Sequence, residues 1–234
     1  MREELSVILP CYNEAKNISL LLERYRDVAK RIPIELVLVN NGSLDDTESV
    51  LKNILPKYKF ARSVKVKKNI GYGFGVLAGL KAAKCEFLSY SHADMQCDPE
   101  DILRGWKMLS GRRDVMVKGN RKGRKVFLTS CFHFLSFMLF FRRFSDINGQ
   151  PKIFHRSFLK KFHNPPYDAS LDFYVQYAAL RSGMQVVDFP VKFRKRLHGK
   201  SWWNKGILPR LKFMVSATSY LLRLRFSKSK ISTD

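Results

Sequence analysis

The stretch EFLSYSHADMQ at residues 86–96 decides the fold of this chain. A short apolar run ends abruptly in side chains that can bind a metal ion, as expected of a buried strand that ends at the edge of a sheet. In open α/β sheets, ligands bind at the carboxyl ends of the strands. His92, Asp94 and Gln96 alternate along the chain, and alternate side chains of an extended backbone share one face. The stretch therefore predicts a cation site. The alternative is an ordinary turn, in which Asp is also common.

Apolar strands and amphipathic helices alternate around this stretch. Strands are predicted at 5–10, 34–39, 63–66, 87–91, 114–118 and 186–193. Helices are predicted at 17–29, 45–55, 100–109 and 173–182, and a glycine-rich loop followed by a helix is predicted at 71–83. Apolar residues recur at helical spacing in the first of these helices. The alternation predicts an α/β fold with a doubly wound, mostly parallel sheet.

The composition points to a polyanionic partner. The 234 residues include 43 Lys and Arg against 20 Asp and Glu, a net charge of +23, and such a surface attracts nucleic acid, anionic lipid or phosphorylated molecules. The basic residues flank Phe-rich segments and show no nucleic-acid-binding motif, so we expect no nucleic-acid partner. The four cysteines lack metal-finger spacing and are typical of reduced thiols in an intracellular protein. We expect no signal peptide, because a strand begins within the first few residues.

Two apolar segments with basic neighbours follow, at 126–141 and 207–226. The first has about sixteen residues, fewer than the roughly twenty needed to span a bilayer. Segments with Phe-rich faces and basic flanks are typical of helices that lie in a membrane interface. The alternative is a buried helix with a basic, solvated face. We therefore expect peripheral attachment to an anionic membrane surface at the cytoplasmic, inner face, or attachment through a membrane protein partner.

Four strand ends carry unusual polar or glycine-rich motifs: PCYNE at 10–14, NNGS at 40–43, NIGYGFG at 69–75 and HADMQ at 92–96. Strands of such a sheet end on one side, so these loops should line one crevice. The glycine loop lacks the third glycine of a dinucleotide fingerprint and follows the third strand, which argues against a dinucleotide site. Its glycines are expected to let the backbone approach a ligand or another loop.

In this order, the four motifs resemble those of the inverting family 2 glycosyltransferases, which have the GT-A fold. Residues 10–14 match the family's Pro-x-Tyr-Asn-Glu, and residues 69–73 match its Asn-x-Gly-x-Gly. The family's Asp-Asp-Gly-Ser appears here as NNGS, and His92 replaces the first Asp of its Asp-Ala-Asp-x-Gln-x-x-Pro. The polyprenyl-phosphate branch of the family has the motif Arg-x-x-Gly-x-Ser-Lys. Residues 196–201 are similar to its first six positions, but Trp202 stands here in place of the final Lys. The resemblance covers roughly residues 5 to 205.

The resemblance implies that a nucleotide-sugar occupies the crevice. It assigns donor binding to Pro10, Tyr12, Asn13, Glu14, Val39, Asn41, Gly71, His92, Ala93 and Arg196. It implies a divalent cation, Mg or Mn, on Asp94 with Gln96 as a second ligand; His92 either ligates the cation or hydrogen-bonds phosphate. The cation would neutralise charge on the leaving nucleoside diphosphate.

The acceptor implied by the branch is a polyprenyl phosphate. Such an acceptor needs no base, since its second pKa is near 6, and Arg121, Arg124, Arg196 and Lys200 are candidates to support its charge. Asp146 and Asp172 are the carboxylates that are candidates for a catalytic base, although Asp172 also suits the first turn of a helix. One alternative is transfer to a hydroxyl of a saccharide or lipid-linked oligosaccharide, with Asp172 as base. Another is a degenerate, non-catalytic member of the family that binds nucleotide-sugar.

The resemblance also implies a domain organisation. Residues 1–204 are expected to form a GT-A catalytic domain that contains the apolar segment 124–143. Residues 205–234 are expected to form a basic amphipathic C-terminal segment.

Overall fold

A computed structural model describes residues 4–121, 127–198 and 207–226 of the chain. The strands are β1 (Leu5–Cys11), β2 (Ile34–Asn41), β3 (Ala61–Val66), β4 (Phe87–Tyr90), β5 (Val115–Arg121), β6 (Lys152–His155) and β7 (Gln185–Val191). The α-helices are α1 (Ala15–Ala29), α2 (Thr47–Ile54), α3 (Tyr72–Ala82), α4 (Glu100–Leu109), α5 (Phe127–Phe140), α6 (Leu171–Arg181) and α7 (Ile207–Phe226). Two short 3-10 helices, Leu55–Lys57 and Arg156–Lys161, complete the described secondary structure.

The seven strands form one mixed sheet in the order β3-β2-β1-β4-β6-β5-β7. The pairs β3-β2, β2-β1, β1-β4 and β5-β7 are parallel. Among the described strands, β6 alone runs antiparallel to its neighbours, β4 and β5. The predicted α/β fold with a mostly parallel sheet is confirmed. The short strand β6 was not predicted, because it contains four residues and begins with a lysine.

Helices cover both faces of the sheet and bury two apolar cores. On one face, α1 and α4 pack against Val7, Leu9 and Leu36 of the first two strands. On the other face, α3 and α6 pack against Ile8 and Val37 of the same strands. The strands therefore have buried side chains on both faces, as expected for parallel strands.

The two apolar segments form helices that pack together beside α6. Leu135 and Leu139 of α5 and Leu221 of α7 lie in one cluster with Phe173 and Tyr177 of α6. The other side of each helix exposes large apolar side chains: Phe134, Phe137 and Met138 on α5, Phe141 just after it, and Val215, Leu222 and Phe226 on α7. In the part of the chain that the structure describes, no helix has the length and apolar character needed to cross a bilayer. The division of the chain at residue 204 stays a prediction.

Candidate active site

One edge of the sheet carries the ends of β1, β2, β4, β5 and β7, because these strands all point the same way. The antiparallel strand β6 begins at this edge instead of ending there. The predicted crevice loops therefore meet the end of β5 and the beginning of β6. Both halves of the sheet contribute residues to the crevice, as expected at a point where strand order reverses.

The loop after β1 is held in place by the loop after β2. Asn13 has a left-handed backbone (φ 57°), its amide donates to Ser43 Oγ at 3.1 Å, and its Oδ1 accepts from the Leu44 amide at 2.8 Å. The Glu14 amide donates to Thr47 Oγ1 at 3.0 Å. Tyr12 is 42% exposed. Its ring is therefore accessible to a ligand, while these hydrogen bonds hold the backbone of its loop in place.

Asn41 lies beneath the glycine loop. Its side chain is buried, and its Nδ2 donates to the Gly71 carbonyl at 3.0 Å. Gly71 has φ 139°, and a Cβ there would lie 2.1 Å from the Tyr167 carbonyl oxygen. The glycines were expected to let the backbone approach either a ligand or another loop, and the structure shows close approach to the loop that contains Tyr167. A contact between Asn41 and a base stays a prediction.

Other predicted donor-binding residues differ in how accessible they are. Val39 is fully buried in the core, so a donor contact there is limited to its backbone. Ala93 is also buried. Glu14 is half-buried; burial raises its pKa, although a hydrogen bond from Asn17 and the charge of Arg196 lower it.

Asp94 is the central carboxylate of the loop after β4. It is 6% exposed, its Oδ1 accepts from the Gln96 amide at 3.1 Å, and its Oδ2 accepts from Arg196 Nη2 at 2.6 Å. The Gln96 side chain donates to the Arg194 carbonyl at 3.1 Å. The described residues contain no group of three or more His, Cys, Asp or Glu able to hold a metal ion. Asp94 would therefore supply a single carboxylate to a cation whose other ligands come from phosphate and water. Metal binding by Asp94 and Gln96 stays a prediction.

His92 packs between two aromatic rings. Its ring centroid lies 5.7 Å from that of Tyr72 and 6.4 Å from that of Phe193. Burial lowers the pKa of His92, and the nearby cations Lys152 and Arg121 lower it further, against the opposing charges of Asp94 and Asp172. A neutral imidazole is therefore favoured at pH 7. Metal ligation by His92 stays a prediction.

Asp146 and Arg121 form a bidentate ion pair. Asp146 Oδ2 accepts from the Arg121 backbone amide and from Nε, both at 2.8 Å, while Oδ1 accepts from Nη2 at 2.6 Å. Burial alone would raise the pKa of Asp146, but the hydrogen bonds and charge of Arg121 outweigh it and lower the pKa. Asp146 is accordingly a weak base. The Arg121 guanidinium also lies over the Phe193 ring, 5.2 Å from its centroid.

Asp172 lies in a buried polar cluster. Its Oδ1 accepts from Lys152 Nζ at 2.5 Å, from Gln150 Nε2 at 2.9 Å and from the Tyr90 hydroxyl at 3.0 Å. The side chains of Lys152 and Asp172 are 0% and 4% exposed. Asp172 occupies the first turn of α6, the position expected of a helix N-terminal acid.

A second buried lysine lies close to this cluster. Lys118 of β5 is fully buried, pairs with Asp188 at 3.1 Å and donates to the Asp146 carbonyl at 2.9 Å. Burial lowers the pKa of both Lys118 and Lys152. Sequence reasoning missed these two residues, since it placed the excess basic charge on the surface. In the sequence, the only sign of their burial is that each lysine adjoins apolar strand residues: VMVK at 115–118 and KIF at 152–154.

Two of the four cationic residues predicted to support the acceptor charge, Lys200 and Arg124, are not among those the structure describes. Of the other two, Arg196 belongs to the segment after β7 and reaches Asp94 from the far half of the sheet.

Solved structures share this fold at low sequence identity. Glucosyl-3-phosphoglycerate synthase from Mycobacterium tuberculosis, in complex with phosphoglyceric acid, gives a TM-score of 0.74 at 18% identity, covering 95% of this chain and 80% of that one. The same enzyme in complex with Mn2+, UDP-glucose and phosphoglyceric acid also gives 0.74, at 17% identity, covering 95% and 79% of the two chains. The predicted GT-A fold is thereby confirmed.

Curated relatives are similar over part of their length. Dodecaprenyl-phosphate galacturonate synthase of Rhizobium johnstonii is 29% identical over 68% of this chain and 49% of its own. Undecaprenyl-phosphate 4-deoxy-4-formamido-L-arabinose transferase of Serratia proteamaculans is 30% identical over 51% of this chain and 38% of its own. The putative glycosyltransferase CsbB of Bacillus subtilis is 28% identical over 51% and 37%. The chain thus spans less than half the length of these relatives.

A longer match, to a family sequence model, shows which protein family the chain belongs to. The sequence model described as Glycosyl transferase family 2 matches residues 6–178, which run from β1 through most of α6 and include every crevice loop up to Asp172. This match covers most of the 234 residues, and it includes the four motifs on which the resemblance rested. The chain belongs to glycosyl transferase family 2.

Proposed function

We propose that this protein transfers a sugar from a UDP- or GDP-linked donor to a polyprenyl phosphate at the cytoplasmic face of a membrane, with inversion at the anomeric carbon. Family membership supports the transferase activity. The names of two relatives, a dodecaprenyl-phosphate synthase and an undecaprenyl-phosphate transferase, support the acceptor class. The structure adds a physical reason to prefer a phosphate acceptor.

That reason is the state of the two candidate bases. Asp172 is buried and paired with Lys152, and Asp146 is held in a bidentate pair with Arg121. An acceptor hydroxyl needs a free base within hydrogen-bonding reach. A phosphate monoester is already largely ionised at pH 7, so the protein has only to align it and support its charge. This observation favours the phosphate acceptor over a saccharide hydroxyl.

The same pairing supports inversion. A retaining double displacement uses a carboxylate nucleophile that forms a covalent intermediate. Asp146 and Asp172 are both engaged with cations. Direct attack by the acceptor phosphate on the face opposite the leaving diphosphate requires neither of them, and it inverts the anomeric centre.

The donor half of the crevice fits a divalent cation, Mg or Mn. Asp94 offers one carboxylate, which pairs with Arg196, and such cations commonly use one or two carboxylates together with substrate phosphates. When bound, the cation would neutralise charge on the leaving diphosphate. Asp94 would orient the donor from one side, while Tyr12 and Glu14 would contact the nucleoside from the loop after β1.

The exposed apolar sides of α5 and α7 support attachment to a membrane surface. The exposed residues Arg142 and Arg143 follow α5, and Arg223 and Arg225 lie at the end of α7. Apolar faces bordered by arginines suit the boundary between anionic headgroups and acyl chains. A membrane protein partner on the same surface is the alternative occupant.

A transfer assay tests the proposed function. The full chain in detergent is incubated with Mn2+, undecaprenyl phosphate and a panel of UDP- and GDP-sugars, and the lipid product is identified by mass spectrometry. We expect one polyprenyl-phosphate sugar of inverted anomeric configuration, and Asp94→Asn should reduce its rate at least about 100-fold. Sugar found on a saccharide hydroxyl, or the absence of product with every donor, contradicts the proposal. Glu100→Gln, which neutralises a half-exposed acid that pairs with Arg31 just after the same loop, is the matched control.

A further inference from the structure

The segment after β7 crosses the loop that carries Asp94. The Arg194 amide donates to the Gln96 carbonyl at 2.9 Å, and the Gln96 side chain donates to the Arg194 carbonyl at 3.1 Å. Arg194 also pairs with Asp98 at 2.5 Å. We call residues 192–198 the strap. It is fastened to the loop at its exposed side by Arg194 and inside the crevice by Arg196.

Arg196 is the counter-ion of Asp94 in this arrangement. The Asp94 side chain is 8% exposed, and a carboxylate so shielded from water needs a charged or hydrogen-bonding partner. The Gln96 amide occupies Oδ1 and Arg196 Nη2 occupies Oδ2. Both oxygens therefore have a partner within the protein, and the stronger of the two is the guanidinium.

We propose that Arg196 and the cation of the donor complex compete for Oδ2 of Asp94, so that the donor binds only after the strap has released this carboxylate. The inference rests on the proposed function, because it takes Asp94 as the cation ligand. Two positive groups on one carboxylate oxygen repel each other at a site that water screens poorly. Arg196 is thus a positioning residue that keeps the donor site paired and closed until the donor arrives.

A second observation indicates where the released guanidinium goes. Arg196 Nε is buried and, among the described residues, has no hydrogen-bond partner. Buried donors are nearly always satisfied, so the position of Arg196 on Asp94 leaves one of its donors unused. A diphosphate offers oxygens to two guanidinium nitrogens at once. Transfer of Arg196 from carboxylate to diphosphate would satisfy Nε and leave Oδ2 to the cation.

Binding of Mn2+ alone to the full chain tests the competition without any sugar transfer. The free-Mn2+ signal in electron paramagnetic resonance gives the dissociation constant. We expect Arg196→Gln to bind Mn2+ at least about tenfold more tightly than the wild type, a usual size for coupling between two ligands. Arg31→Gln is the matched control, since it removes the same charge from an arginine that lies outside the strap and pairs with Glu100. Asp94→Asn added to Arg196→Gln should abolish the gain.

Two outcomes overturn the inference: an Mn2+ affinity unchanged by Arg196→Gln, or an equal gain in Arg31→Gln, which would indicate a bulk charge effect. Hydrogen exchange supplies an independent readout, because the Arg194 amide should exchange faster when Mn2+ and a nucleoside diphosphate are added to the wild type. Slower or unchanged exchange counts against release of the strap. A tighter Mn2+ site in Arg196→Gln without any transferase product would leave the competition standing and reject the proposed function alone.

Discussion

A single residue, Asp172, illustrates how a carboxylate can be fixed by its neighbours. Three donors converge on one of its oxygens, and the closest is the ammonium group of Lys152. Removing one partner of a buried ion pair leaves an uncompensated charge and costs about 3–5 kcal/mol. Replacing both partners with apolar groups costs much less. The pair is therefore expected to behave as a structural unit.

Lys152→Met should lower the free energy of unfolding by about 3–5 kcal/mol. The double variant Lys152→Met/Asp172→Leu should recover a large part of that loss, because no charge is then left unpaired. Urea denaturation followed by circular dichroism measures both. If Lys152→Met alone left the unfolding free energy unchanged, Asp172 would have to be free of its partner, and its role as a base would be restored.

Residues on loops after strands could be predicted, whereas residues within strands could not. Asp94 follows a clear apolar run, so its place at the sheet edge is implied by the local pattern. Its partner Arg196 lies 102 positions away, and no local pattern specifies that pairing. Lys118 and Lys152 look like surface residues because lysine is rarely buried. Only their ion partners, brought from other elements by the fold, explain their burial.

At the scale of elements, the glycine loop before α3 depends on close approach to the segment before α6. Gly71 combines φ 139° with ψ 161°, a region that is essentially restricted to glycine. The Tyr167 carbonyl fills the space that a Cβ would need. The loop beside the crevice is therefore fixed by backbone packing.

Gly71→Ala should destabilise the protein by at least about 3 kcal/mol, through backbone strain and the clash with Tyr167. Gly111→Ala is the matched control, since Gly111 also has a positive φ, of 71°, but a Cβ added there would meet nothing within 4 Å. The control should lose only about 1 kcal/mol. Thermal unfolding compares the two, and equal losses would show that contact with Tyr167 contributes nothing.

The opposite edge of the sheet is held by Glu35 of β2. Its carboxylate accepts from Ser6 Oγ at 2.5 Å, Arg62 Nε at 2.7 Å and the Lys84 amide at 2.8 Å, so it joins β1, β3 and the turn before β4. Burial alone would raise the pKa of Glu35, but these hydrogen bonds outweigh it and lower the pKa below its ordinary value of 4.5. The ionised form is thus the one that stabilises the fold.

Glu35→Gln should cost about 1–3 kcal/mol at pH 7, where the carboxylate is ionised in both folded and unfolded states. A lowered pKa means that its contribution is fully present above pH 4.5 and is lost as the pH falls through the folded-state pKa. The difference between wild type and variant should therefore shrink below pH 4.5. Urea denaturation at pH 7 and at pH 3 checks this, and a constant difference would contradict it.

At the scale of the whole molecule, the sequence predicted the layers better than the sites. The period of the apolar residues specifies which elements are helices and strands, and each predicted strand overlaps an observed strand by four residues or more. The short strand β6 and the reversal it introduces were missed. The equally short β4 was predicted from its apolar run, whereas β6 begins with a lysine that is typical of the surface. The segments 126–141 and 207–226 proved to be neither wholly buried nor wholly exposed, since each buries one side against α6.

Attachment to lipid is a property of the whole surface. Anionic vesicles should bind the full chain, and binding should weaken as salt rises, because the net charge of +23 contributes through screened electrostatics. Phe134→Ser/Met138→Ser should weaken binding at least about tenfold by removing apolar burial. Leu44→Ser, which alters an 85% exposed apolar residue on another loop, is the control. Vesicle sedimentation measures all three, and identical binding would reject α5 as the attachment surface.

The reversed direction of β6 has a consequence for how this scaffold can diversify. The loops proposed to bind the donor leave the sheet after β1, β2 and β4. The chain beside Arg121 and Lys152 instead enters the sheet from the segment that joins α5 to β6. Surface connections tolerate insertions better than the elements they join. Lengthening that entering segment would reshape the crevice beside Arg121 and Lys152 without altering the loops after β1, β2 and β4. The two sides of the crevice can therefore change separately. Under the proposed function, the acceptor side could adapt to a different lipid while the loops that bind the donor stay unchanged.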